Sequence, residues 1–439
     1  MISASEASTV LDRIGALQDE VIDTVVRAVR IPSVNPSYPG QSYDDVVGGE
    51  ADVARLLAEQ YRSCGATIDT FAVAPGRENA VGVVEGTGGG RSLILNGHVD
   101  VVPPGALEDW KNGDPFSGHV QDGRVHGRGT TDMKAGLIAM AFAARALHEA
   151  GVRLRGDLIL QAVAAEESLE HTLGTTAVLE RGYRADAAIV GEPTGWGAPL
   201  SVMPTEPGLL GLAVEVNGKA SHASMRGEVV HGSSTGEPVA VSAIDKAFLI
   251  YEALRRLEVE WGRTKSDPLF PPGHFAISPA VFSGGKRHVP SPAYIPDQAS
   301  LVYAVFYPPA ETADTVRAEI ESCIAAVAAS DPWLAEHPPQ LVWPIAVPPS
   351  SLSSQHPLTE TLLRARQIGC EGLAQTDQPL IRGLPSVCDM TWLTAAGIPS
   401  LAFGPGTLRL AHADNESCSI EEIMCATRTY AMAALDWCR

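Results

Sequence analysis

The sequence predicts an α/β protein: a central sheet flanked by helices on both faces, interrupted by a smaller α+β domain. Three observations carry this. Short β-rich runs alternate with runs of helical periodicity over residues 1–206, the pattern of a layered sheet with crossover helices. Near Glu206-Pro207-Gly208 the order changes to β, α, β, β, α and holds through 207–330, which reads as an inserted domain. After the Pro-rich stretch 338–349 the first texture returns, so 331–439 completes the domain begun by 1–206.

The elements follow in order. Leu11, Ile14, Leu17, Val21, Ile22, Val25 and Val29 recur at helical spacing, predicting one helix from Ala7 to about Arg30, ahead of Pro32. A second helix covers Glu50 to Ser63, and strands follow at 67–73, 79–85 and 92–102. Then come a helix over 132–151, a strand over 157–165, a helix near 173–181 and a strand in 185–194. In the insert, strands fall at 209–220, 277–283 and 299–309, with helices at 240–258 and 311–329. The strand and loop "GIPSLAFGPG" (397–406) lie in the closing segment.

At 439 residues the chain suits two or three domains, and 45% hydrophobic with 19% charged residues is a globular composition. No stretch reads as a membrane span, and the N-terminus lacks a basic segment followed by an apolar one, so a cytoplasmic protein is expected. Seven cysteines without a CxxC pair indicate neither a disulfide framework nor a zinc knuckle. A formal charge of −20 argues against nucleic acid as a partner.

Polar residues at the ends of predicted strands are the candidates for chemistry: His98, Asp100, Asp132, Glu166, Glu167, Glu192 and His412. Ligands of open α/β sheets sit at the carboxyl ends of strands, so these residues can converge from distant positions. Two histidines with several carboxylates suit zinc, manganese or cobalt and are too nitrogen-rich for calcium or magnesium. A carboxylate bridging two such ions lets a water held there attack at neutral pH, with a further carboxylate to move its proton. Taken singly, each residue has an ordinary reading: Asp132 as an N-cap, the adjacent glutamates as solvated, "GEPT" as a turn.

Three motifs lead nowhere. "GSSTG" (232–236) lacks the strand and helix of a nucleophile elbow and reads as a loop; "GTGGGR" (86–91) and "GRGTTDMK" lack the context of dinucleotide and phosphate loops.

Taken together, "LILNGHVDVVPPG", Trp110 with "DPFSGHVQDGRVHGRGTTDMKAG" (114–136), "AAEE" (164–167), "GEPT" (191–194), "NGKASHAS" (217–224) and "FGPGTLRLAHADNES" (403–417) resemble the M20 metallopeptidases. These are the acetylornithine deacetylases, succinyl-diaminopimelate desuccinylases, aminoacylases and glutamate carboxypeptidases. The resemblance implies a zinc-peptidase-like catalytic domain with a central mixed sheet, interrupted by a lid domain that dimerises. It implies one or two divalent transition-metal ions (zinc, manganese or cobalt), held by His98, Asp132, Glu167, Glu192 and His412. Asp132 would bridge, Glu166 would be the general base, and a metal-bound hydroxide would attack. Asp100 would orient the His98 ring, and His222 in the lid would polarise the scissile carbonyl. A cis peptide after Asp132 is also implied.

The lid departs from the family pattern in "AYIPDQASLVYAVFYPPAET" (293–312), where Ala293 replaces an Asn and Phe306 stands near the position of a carboxylate-gripping Arg. In "CDMTWL" (388–393) Thr391 replaces another Arg. Substrate contacts are therefore expected from Tyr294, Phe306, Arg287, Arg382 and Arg409, with Arg226 and Lys286 as further cations. The activity expected is metal-dependent hydrolysis of a C–N bond in a small-molecule substrate: deacylation of an N-acyl amino acid, or removal of an amine from an activated aromatic ring resembling a nitroanthranilate. A non-catalytic binding protein on the same fold is the reading from another class. A homodimer or higher homo-oligomer through the lid is expected, with no nucleic-acid or membrane partner.

Overall fold

The apolar run at Leu93 forms the strand Leu93–His98, every residue of which is buried, as befits a strand covered on both faces. It pairs in parallel with Leu158–Val163, His98 opposite Val163, and on its other side with Ala188–Val190. Ser400–Ala402 extends the parallel set beyond Ala188–Val190. Antiparallel strands flank this centre: Arg77–Val84 and then Thr67–Ala74 on one side, Val202–Glu206 on the other. With Ser350–Ser351 and Ile381–Gly383 beside Val202–Glu206, the mixed sheet has nine strands among the described residues. The computed structural model describes residues 3–231, 238–287, 289–372 and 380–439; the 232–236 loop expectation lies outside them.

The chain leaves Leu93–His98 for a strand on one side and then crosses to a strand on the other. The strand order thus reverses at the carboxyl end of Leu93–His98, where such sheets leave a ligand crevice. Alternation along this strand shows helices on both faces. Asn96 bonds Thr175 at the start of the helix Thr175–Glu180, whereas a β-carbon on neighbouring Gly97 would meet Met133, just before the helix Ala135–Glu149, and Leu137 within it.

Local differences from the sequence expectation have physical reasons. The first predicted helix is two, Ala4–Ala16 and Gln18–Val29, broken at Leu17 although its apolar stripe continues into the core. The regular helix after Asp132 starts only at Ala135; Asp132 and Met133 have non-helical backbone and their peptide bond is cis. Asp132 is therefore not an N-cap. The stretch 338–349 is not a connector: Gln340–Val347 is a strand against Gly208–Asn217, and its register shift between Val342 and Ile345 accommodates Pro344.

Two compact units result, Met1–Thr205 with Ser350–Leu384 and Cys388–Arg439, and Glu206–Pro349 with Pro385–Val387. The second holds a four-stranded antiparallel sheet in the order Ile277–Gly285, Gln298–Tyr307, Gly208–Asn217, Gln340–Val347. Its buried face is made by alternate residues: Leu301, Tyr303, Val305 and Tyr307 with Leu210, Leu212, Val214 and Val216 pack with residues of the helices Ala243–Thr264 and Ala313–Ser330. This unit ends at Pro349, beyond residue 330, because Gln340–Val347 completes its sheet. Among the described residues, no helix is long and apolar enough to cross a membrane.

Candidate metal centre

The loops that follow the parallel strands bring the candidate residues of the first unit together. His98 ends its strand and is 1% exposed; Asp132 and Glu192 are also buried. Its Nε2 lies 3.0 Å from Asp132 Oδ1, 3.6 Å from Glu192 Oε1 and 3.9 Å from Glu166 Oε2. His412 Nε2 lies 3.0 Å from Glu167 Oε2 and 3.5 Å from Asp132 Oδ2. Asp132 thus offers one oxygen to each histidine. His98, Asp132 and Glu167 have donor atoms within 4.8 Å of one another.

The donors fit a metal. Glu167 Oε1 is buried without a hydrogen-bond partner among the described residues, a state that costs stability unless something meets the atom. His98 Nδ1 donates to the backbone carbonyl of Asp100 at 2.9 Å, so Nε2 is the ring nitrogen that faces the carboxylates and would offer its lone pair to a metal once its proton is displaced. Two histidine nitrogens with carboxylate oxygens match a divalent transition ion.

Crowding sets the charge state of these groups. Burial raises Glu166 and Glu192 well above the usual carboxylate range; nearby His98 opposes this, and neighbouring carboxylates reinforce it. Burial also acts to raise Asp132, but hydrogen bonds from His412 and His98 outweigh it and hold the group low. Burial likewise acts to lower His412, and its bonds to Asp132 and Glu167 raise it to about 11.

Asp100 does more than the expected orientation of a ring. The His98 contact is to its carbonyl, with the carboxylate Oδ1 at 3.6 Å. That carboxylate accepts from Asn35 Nδ2 at 2.7 Å and from the backbone N–H groups of Glu166 and Glu167 at 3.3 and 3.0 Å. Asp132 has a comparable support. Glu416 Oε1 accepts from the N–H groups of Thr131 and Asp132 at 2.8 and 3.1 Å, while Glu416 Oε2 accepts from Arg128 at 2.6 Å.

The other predicted residues have these surroundings. In the second unit, His222 bridges to Tyr294, which is 43% exposed. His222 Nδ1 accepts from Ser224 N at 3.2 Å, so the neutral ring carries its proton on Nε2. Phe306 is half-buried on the face of Gln298–Tyr307 away from the core residues. Arg287 is exposed and donates to Gln298 Oε1 at 3.2 Å. Of the further cations, Arg226 is paired with Asp245 and Lys286 with Asp297, so neither is spare. In the first unit, Arg382 lies 5.9 Å over the Trp196 ring, and Arg409 is exposed. Thr391 is 1% exposed.

Sequence reasoning missed Asn35, Glu50, Arg77, Asn79, Asp389 and Glu416. Asp389 is buried, and its charge acts on both Glu166 and Glu192. Only their polarity next to apolar or glycine-rich runs marked these residues, and that does not separate them from surface groups.

A mixed sheet with a histidine–carboxylate cluster at its switch point defines a class, the metal-dependent hydrolases of the M20 type. The model of Peptidase family M20/M25/M40 matches residues 94–436, and the chain belongs to this family. It is a divalent-metal hydrolase acting on amide-type C–N bonds. It is 33% identical over 452 residues to N-formyl-4-amino-5-aminomethyl-2-methylpyrimidine deformylase of Halalkalibacterium halodurans, covering 100% of this chain and 99% of that one. It is 34% identical over 440 residues to the Bacillus subtilis protein of the same name, covering 97% and 98%. Among solved structures, human carnosine dipeptidase 1 shares the fold with a TM-score of 0.73 at 15% identity, covering 100% of both chains.

Proposed function

We propose that this chain is a deformylase-like deacylase that frees an amine from a short N-acyl group carried by an aminomethyl-substituted heteroaromatic ring. The placement of Asp132 carries the catalytic part of the reading, since its two oxygens face two different histidines. His98 and Glu192 would hold one divalent ion, Glu167 and His412 a second, and Asp132 would bridge them, with zinc, manganese or cobalt as the fitting ions. Metal bound there supplies a polarised carbonyl and a water of lowered pKa. Glu166 takes the proton of the attacking water on a carboxylate oxygen and delivers it to the leaving amine nitrogen.

Two lines support the ring as substrate. The relatives matched over nearly their whole length are named for a formylated aminomethylpyrimidine. Where an arginine for a substrate carboxylate is expected, this chain has Phe306, and the other candidate cations Arg226 and Lys286 are paired with Asp245 and Asp297. An aromatic face suits a flat ring, whereas a buried carboxylate without a cation is costly. Assay of the metal-loaded protein on N-formyl-aminomethylpyrimidine, N-acetyl amino acids and aryl amines tests this. The first should exceed the others in kcat/KM by at least about tenfold, roughly 1.4 kcal/mol; a preference for N-acetyl amino acids would overturn it.

The second unit would join two copies of the chain. Ile277–Gly285 is an edge strand with seven consecutive exposed residues, among them Val281 and Phe282, and the Phe282 ring lies 5.0 Å from that of exposed Phe248. An apolar edge of this kind is a surface for strand pairing.

A further inference from the structure

Successive backbone N–H groups of the turn carrying Glu166 and Glu167 all donate to buried side chains. Ala164 donates to Asn79 Oδ1 at 3.0 Å and Ala165 to Glu50 Oε1 at 3.0 Å; Glu166 and Glu167 donate to the two oxygens of Asp100. Asn79 and Asp100 are fully buried, and Glu50 is 1% exposed. Ala165 has φ +70°, in the left-handed region that a β-carbon disfavours. The turn is therefore held in a shape that its own backbone does not prefer.

Glu50, from the helix Gly49–Ser63, is gripped by Arg77 through a fork, Nε to Oε2 at 2.6 Å and Nη2 to Oε1 at 2.9 Å. Arg77 Nη1 reaches further, to Glu170 Oε2 at 2.7 Å and Ser37 Oγ at 3.0 Å. Glu170 also accepts from Ser168 Oγ at 2.8 Å, and Ser168 accepts from Asn35, which holds Asp100. One guanidinium thus connects the Ala165 and Glu170 ends of the turn.

A buried ion pair of this sort does not by itself stabilise a fold, since apolar residues of matching volume do as well or better. Apolar residues cannot accept the N–H of Ala165 or fix Glu170. We propose that Glu50 and Arg77 are a positioning pair for the hydrolysis, setting the turn that aims Glu166 at the reacting water and Glu167 at the metal. The proposal rests on the reading of Glu166 as the proton carrier.

The experiment uses the full-length, metal-loaded protein and three variants: E50M/R77M, E50Q and E166Q. In E50M/R77M, kcat should fall about 10–100-fold, the range for small misplacements of a reacting group. Its KM should stay within about threefold, the mark of an interaction made mainly in the transition state. Its thermal midpoint should remain near that of the parent, and amide hydrogen exchange over 164–170 should accelerate about tenfold or more. E50Q keeps an oxygen for Ala165 N–H and should recover most of the lost turnover. Parent values of both kcat and exchange in E50M/R77M overturn the proposal, as does a loss of kcat with unchanged exchange. If that variant does not fold, Arg77→Lys carries the test, because an amine cannot reproduce the fork; parent kcat and exchange there would likewise overturn it. An active E166Q variant would defeat the proton-carrier reading instead, and the exchange data would still decide whether Glu50 and Arg77 hold the turn.

Discussion

At the scale of single residues, chemistry depends on which atom faces which. His98 offers Nε2 to the carboxylates because its Nδ1 is engaged by the Asp100 carbonyl. Glu166 is the carboxylate not needed to complete the two proposed metal positions, which frees it to carry a proton. Glu166→Gln should therefore lower kcat by about 10²–10⁴-fold, the usual contribution of a general base, while metal content stays that of the parent. Retained turnover in that variant would remove Glu166 from the mechanism. The histidines and carboxylates that the structure brings together were legible in the sequence because such residues at strand ends are chemically distinctive. The role of Asp100 was only half legible: period-two alternation pointed at His98, whereas its carboxylate mainly holds the backbone of Glu166 and Glu167. Glu50, Arg77 and Glu416 were illegible, since a sequence does not show that a charged residue will be buried with a partner far along the chain.

At the scale of elements, the site depends on how closely the helix Ala135–Glu149 approaches the strand ends. A β-carbon on Gly136 would lie 2.3 Å from the carbonyl oxygen of Gly191, next to Glu192. Backbone cannot yield as a flexible side chain can, so the helix or the Glu192 loop must move. Gly136→Ala should cost about 1–3 kcal/mol of stability, the range for overpacking, and lower turnover as well, read by thermal unfolding and steady-state kinetics. A variant as stable and active as the parent would show that this approach has slack. Periodicity located the main helices and many strands up to residue 330, but it left the helices Pro357–Gly369 and Ile420–Trp437 unread and misjudged two further features for physical reasons. The break at Leu17 leaves the apolar stripe intact, so hydrophobic spacing cannot reveal it. Gln340–Val347 contains Pro344, which reads as a linker until the register shift that accommodates it is seen.

At the scale of the whole molecule, the inserted unit presents an apolar edge that the proposed dimer covers. Replacing Phe282 by Asp places a charge where strand pairing would bury it, a cost of several kcal/mol by order of magnitude. Sedimentation at micromolar concentration should then shift from dimer to monomer while the metal content of each chain is unchanged. A parent protein that sediments as a monomer would contradict the edge-strand reading. The proposed metal site, whose residues lie in the first unit, is tested separately. The most direct test of the central claim, that Asp132 bridges two metal positions, is elemental analysis of the purified protein beside Asp132→Ala. The account predicts about two divalent ions per chain in the parent, as in two-metal hydrolases, and loss of most of that metal in the variant. Full metal content in Asp132→Ala, or amide hydrolysis by a parent chain free of divalent metal, would contradict it.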